Sequence, residues 1–201
     1  MSRDAVAITG ATPAGRLPAS ALKASIARAL EFHLRNRLAV SIRAVTVQDE
    51  AAIFEFLAGL SLGSRRLRFF SAAVDLRAEA HRGAAGDDCD HHGVLALAVG
   101  RGVVGHAIYV RVPGSERAEV AVEVADDLHR LGLATHLLIE LAQLAEARRI
   151  TRFFAEVLPE NHDMLAIFSA GFGASRVFRP GQVDIEFETA NWRMAEAGHE
   201  R

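Results

Sequence analysis

"AEVAVEVADDLHRLGLATHLLIELAQLAEA", Ala118 to Ala147, decides the fold. Its first eight residues alternate, with Val120, Val122 and Val124 on one side and Glu119, Ala121 and Glu123 on the other, which is the period of a strand. From Leu133 the period changes, because Leu133, Leu137, Leu141 and Leu144 recur at helical spacing with Glu140, Gln143 and Glu146 outside the stripe. Between the two lies a loop containing Gly132. A strand that runs through a glycine loop into a helix N-terminus is an anion site, since free backbone N–H groups and the helix dipole both point at the loop. Gly132 permits close backbone approach, and Ala134 is too small to obstruct it. The loop is not a Walker loop, because the lysine and hydroxyl pair of that motif is missing.

Outward from this unit the chain reads as one α/β (α+β) domain around a mixed central sheet of about six to seven strands flanked by helices. "VSIRAVT" alternates as a strand, and the next helix should turn Ile53, Phe54, Leu57 and Leu60 inward. A short helix is expected over "SRRLRFFSAAV", then a loop over "EAHRGAAGDDCDHHG". "VLALAVG" and "VVGHAIYVRV" form a hairpin candidate around "RG". After the opening unit come a strand "ITRFFAEVL", a helix "ENHDMLAIFSAGF" and a closing hairpin "ASRVFR" and "VDIEFET". We expect residues 1–39 to hold a flexible lead-in and an extra amphipathic helix built on Leu22, Ile26, Leu30 and Leu34, residues 40–190 the domain, and residues 191–201 a polar tail.

Composition narrows the class. A chain of 201 residues, 50% hydrophobic, can bury one good core. The formal net charge of -2 provides no general footprint for nucleic acid, and no apolar run approaches the roughly 18 residues of a membrane span. Cys89 is the single cysteine, so an intrachain disulfide is excluded and a reducing, cytoplasmic setting is expected. "VAITGATPAG" imitates a dinucleotide-binding turn, but its glycines lack the required spacing and Pro13 interrupts it. In "HRGAAGDDCDHHG" the adjacent His91 and His92 would point oppositely from a strand, so no metal is expected.

The loop "HRLGLA", His129 to Ala134, resembles the acetyl-CoA loop Q/R-x-x-G-x-G/A of the GNAT N-acetyltransferases, with His129 in the place of Gln or Arg. "AEVLPENHDMLAIFSAGF" is similar to the second half of that family, and "IRAVTVQDE", "LSLGSRRLRFFS" and "AEVAVEVADD" look closest to its Pat-type bacterial protein lysine acetyltransferases. The resemblance spans roughly residues 40–189, and it departs from the subgroup at Gly63 and Arg66.

It implies the GNAT fold and an acetyl-CoA-dependent transfer to a primary amine, either a protein lysine or a small amine such as a polyamine. Arg130, Leu131, Gly132, Leu133, Ala134 and Thr135 would hold the pyrophosphate, the backbone of Val122 and Val124 the acetyl-bearing arm, and Asn161 the pantetheine. The resemblance also places the catalytic glutamate in "AEVA". A lysine amine, with pKa about 10.4, must lose a proton before attack, so a base is needed. Glu119 is the first choice, expected in apolar surroundings, and Glu123 the second, roughly 13 Å further along an extended strand. Phe168 stands where many members carry a tyrosine general acid. A domain that binds acyl-CoA without catalysing is the competing reading, and the oligomeric state is left open.

Overall fold

A computed structural model describes residues 30–84 and 90–199. Eight strands form one sheet in the order β1-β2-β3-β4-β5-β6-β8-β7. They are β1 Leu30–His33, β2 Ala39–Ala44, β3 His91–Ala98, β4 Gly102–Arg111, β5 Arg117–Val124, β6 Arg152–Val157, β7 Ser175–Arg179 and β8 Gln182–Glu188. Neighbours are antiparallel except β5 and β6, which run parallel and need the crossover helix between them. The helices are α1 Glu50–Gly59, α2 Leu62–Phe69, α3 Leu76–Ala84, α4 Leu133–Ala147, α5 His162–Ala166, prolonged by a π-helical turn over Ile167–Gly171, and α6 Trp192–His199.

The two faces of the sheet have different partners. Val120 and Val124 of β5, with Phe153, Ala155 and Val157 of β6, meet the leucine stripe of α4 in the main core. Gly105 makes this contact possible: a Cβ there would lie 2.9 Å from Leu137 Cδ1 and 3.3 Å from Leu133 Cδ2. On the other face α1 and α3 form a second core around Ile53, Phe56, Leu57, Leu60, Ala80, Ala84 and Leu95. Phe56 takes the inward place expected for Phe54, which is half-buried beneath the Arg77 guanidinium. The inward set is thus i, i+3, i+4 and i+7 from Ile53, a tighter helical stripe than the one read from sequence.

Four expectations are corrected. Residues 30–33 are strand β1, whereas the expected helix ran through Arg37; its earlier part, 20–29, lies outside the described residues. Leu30 pairs with Ile42 and His33 with Ala39, Phe32 stacks on His136 at 3.9 Å between ring centroids, and Arg37 turns the chain at φ 66. This adds the eighth strand. The expected loop after Glu79 begins as α3, because Ala80, Gly83 and Ala84 supply a flat face that seats closely on α1. Residues 85–89, with Asp87, Asp88 and Cys89, lie outside the described residues. The polar tail contains α6: Ala195 enters the core, and the Trp192 indole N–H donates to Glu146 at 2.9 Å. Among the described residues no helix is long and apolar enough to cross a membrane, and no group of three or more His, Cys, Asp or Glu is placed to hold a metal.

Candidate active site

The parallel pairing of β5 and β6 covers three rungs, Arg117 with Arg152, Ala118 with Phe153 and Glu119 with Phe154. Beyond Glu119 the strands part. β5 stays with β4 as far as Val124 opposite Gly105, while β6 follows β8 as far as Val157 opposite Val183. The split opens into a cavity of about 800 Å³, lined on its two banks by Glu119 to Val124 and by Ala155 to Val157.

The backbone lining this split has a fixed polarity. Ala125 N–H donates to Val104 O at 2.9 Å, toward β4. Hydrogen-bonding direction alternates along a strand, so the N–H and C=O groups of Val122 and Val124 point the other way, into the split. The side chains of both valines border it as well. Val124 O is already engaged: the His129 ring donates to it from Nε2 at 3.0 Å. The residue that departs from the family loop therefore ties the loop back to the end of β5.

The loop itself is built for an anion. Arg130 has φ 63 and Gly132 φ 97, so successive residues alternate in hand and form a concave run of N–H groups. Gly132 is the N-cap of α4 and supplies no side-chain acceptor, which leaves the first N–H groups of the helix for a ligand. Gly132, Leu133, Ala134 and Thr135 border the cavity, while Leu131 packs against the core and contributes only backbone to the loop. The Arg130 side chain is 80% exposed and stands 3.8 Å from Asp163, a screened contact that leaves it able to meet a phosphate. Asn161 caps α5 by accepting from Met164 N–H at 3.3 Å, and it also faces the cavity. The buried ring of Phe168 forms part of the wall.

The two glutamates differ sharply. Glu119 stands at the last paired rung, exposed, and its carboxylate makes no hydrogen bond or ion pair among the described residues. The apolar enclosure expected around it is absent: Leu67, Phe69 and Phe70 border the same cavity, but the Glu119 side chain is exposed where β6 diverges. Glu123, on the same face, is 7% exposed and fully engaged. Arg68 Nε donates to one of its oxygens at 2.7 Å, and His106 Nδ1 lies 2.6 Å from the other. Burial pushes this carboxyl up, but the charges of Arg68 and His106 and the hydrogen bonds from both outweigh it, holding the group well below the ordinary carboxylate range. A carboxylate so occupied is a poor proton acceptor.

Sequence reasoning missed Arg68, His106 and Asp126. Asp126 accepts from Ser61 N at 2.9 Å and from the Ser61 and Ser64 hydroxyls at 2.6 Å each. Burial raises its pKa, but those hydrogen bonds and the nearby His129 prevail and bring it to about 2. The His106–Glu123 contact had a usable signal, since the β4–β5 hairpin register sets them directly opposite. The contacts with α2 had none.

A family model described as "Acetyltransferase (GNAT) family" matches residues 64–173. Among solved structures, the GNAT domain of S. lividans PAT is 31% identical, with a TM-score of 0.71 over 80% of this chain and 96% of that one. A cAMP-binding acyltransferase from Mycobacterium smegmatis is 22% identical, with a TM-score of 0.57 over 90% of this chain and 56% of that one. A spermidine N-acetyltransferase from Vibrio cholerae, solved with CoA and spermine, is 12% identical, with a TM-score of 0.61 over 77% of this chain and 98% of that one. No curated protein matches the chain in sequence.

Proposed function

The chain belongs to the GNAT family of acetyltransferases, and from that premise we propose that it transfers an acetyl group from acetyl-CoA to a primary amine, a protein lysine, with Glu119 as the base. The observation that carries the reading is the position of Glu119 at the fork where β5 and β6 part, on the same cleft that ends at the Gly132 loop. The choice of a protein lysine rests on the resemblance of "LSLGSRRLRFFS" and "AEVAVEVADD" to the Pat-type protein lysine acetyltransferases, and the 31% identity to the GNAT domain of S. lividans PAT is in keeping with it.

The residues present suit acetyl-CoA as the donor substrate. The uncapped N-terminus of α4 fits its pyrophosphate. The unpaired edge of β5 can hydrogen-bond an extended pantetheine arm as a strand would, and Asn161 faces the same channel.

Glu119 removes a proton from the acceptor ammonium, and the freed nitrogen attacks the thioester carbonyl carbon. The charge that develops on the carbonyl oxygen is met by the N–H of Val124; the next peptide, Val124–Ala125, is held at both groups, its C=O by His129 and its N–H by Val104 O. The carbon–sulfur bond then breaks, the amide nitrogen gives up its second proton to solvent, and sulfur leaves as thiolate. Phe168 offers no acid, and a thiol of pKa about 8.5 leaves without one. Glu123 takes no proton, because Arg68 and His106 already occupy both of its oxygens.

The test is a titration with acetyl-CoA followed by mass spectrometry of candidate acceptors. Transfer to lysines of proteins or peptides supports the proposal. Transfer only to small amines would replace the acceptor class. Binding without transfer to any amine would favour an acyl-CoA-sensing domain.

A further inference from the structure

α2 has little apolar anchoring. None of its residues is buried and Leu62 is 67% exposed; Phe69 packs against the second core from a half-buried position, so burial of apolar surface holds the helix only weakly. It is nonetheless fixed at both ends and on both sides. At its start, Ser61 and Ser64 bind Asp126, two residues past the end of β5 on the way into the cofactor loop. Near its end, Arg68 reaches the buried Glu123. Both attachments are to the β5 bank. Two residues before Arg68, and therefore on nearly the opposite side of the helix, Arg66 Nη1 pairs at 2.5 Å with Glu160, which lies on the far bank between β6 and Asn161. α2 thus spans the split, and Leu67, Phe69 and Phe70 line the cavity beneath it on the Glu119 side.

The two attachments differ in strength. The β5 side ends on a carboxylate 5% exposed and held by two partners, so breaking it strands a buried charge. The far side is a pair whose side chains are 54% and 45% exposed, screened by salt and weak.

We propose that α2 is a strap over the acceptor half of the cleft, anchored to β5 through Arg68–Glu123 and Ser61/Ser64–Asp126 and latched to the far bank by Arg66–Glu160. Arg66 is then a positioning residue for acceptor access, without contact to the reacting atoms. This rests on the reading of the cleft as the site of amine acetylation.

Hydrogen exchange of the amides of residues 62–70 in the full chain tests the strap without needing a substrate. Arg66→Glu should raise their exchange by about fivefold while β5 and α4 are unchanged, 0.5 M salt should do the same to the parent, and Arg66→Glu with Glu160→Arg should restore protection. Arg68→Ala should open α2 further still. Exchange of 62–70 that is indifferent to Arg66→Glu and to salt would overturn the latch, as would loss of protection spread over the whole sheet. With N-α-acetyl-lysine amide as the amine probe, Arg66→Glu should shift the acceptor KM by several-fold and leave the Kd for CoA unchanged. A shift in the CoA Kd with no change in acceptor KM would also overturn it. Absence of acetyl transfer by the parent would count against the proposed function, and the exchange result would still decide the strap.

Discussion

His106 Nδ1 stands 2.6 Å from Glu123 across the β4–β5 rung, and the other oxygen of that carboxylate is held by Arg68 from α2. One buried acid joins two strands and a helix. Removing it by Glu123→Ala leaves two basic side chains facing an apolar hole, and unfolding stability should fall by about 3 kcal/mol or more. Urea denaturation of the parent and variant measures this, and a loss under about 1 kcal/mol would show that the cluster does not organise the site.

Gly132 has φ 97, a conformation unfavourable to any side chain. Gly132→Val should strain the loop by about 1–3 kcal/mol and turn the N–H groups of α4 away from a common focus. Calorimetry should then show acetyl-CoA binding weakened by about tenfold or more, with thermal stability reduced modestly. Unchanged affinity would move the anion site elsewhere.

His129 replaces the Gln or Arg of the family loop, and its ring donates to Val124 O. His129→Ala should free that carbonyl, loosen the Val124–Ala125 peptide and with it the loop's hold on the end of β5, and weaken acetyl-CoA binding by about fivefold, the equivalent of one ordinary hydrogen bond. His129→Gln, which retains a donor, should recover most of it. If the alanine variant binds as the parent does, the tie is incidental.

Asp49 holds the entrance to α1. The hydrogen bonds from Arg43 lower its pKa most, and with those from Thr46 they outweigh burial and bring it to about 2. A carboxyl depressed on folding stabilises the fold above its ordinary pKa of 3.8, and that contribution is lost as pH falls through about 2. The parent should exceed Asp49→Asn by up to about 2 kcal/mol at pH 7, and the gap should close between about pH 4 and pH 2. Denaturation across that range would show a constant gap if the pairing with Arg43 were unimportant.

Much of this architecture was legible where one local period dominates. The β5 alternation, the leucine stripe of α4 and the glycine between them were readable because each is set by neighbours along the chain. β1 was misread because Leu30 and Leu34 sit four apart in a strand and turn whose partner is β2, a contact that helical spacing imitates. α6 was hidden by its charged outer face, and only the packing of Trp192 and Ala195 on α4 distinguishes it from a tail. At the site, Glu119 and the loop could be named from sequence, but not the burial that separates Glu119 from Glu123. That difference comes from where β6 diverges and where Arg68 arrives, and both are set by tertiary structure.

The central claim is that Glu119, the unpaired carboxylate at the fork, takes the acceptor proton. Single-turnover acetyl transfer by Glu119→Gln, measured beside acetyl-CoA affinity in the same preparation, tests it most directly. The rate at pH 7 should fall by about 10²–10⁴-fold with affinity unchanged within about twofold. Transfer at the parental rate with unaltered affinity would contradict the assignment and place the base elsewhere in the cleft.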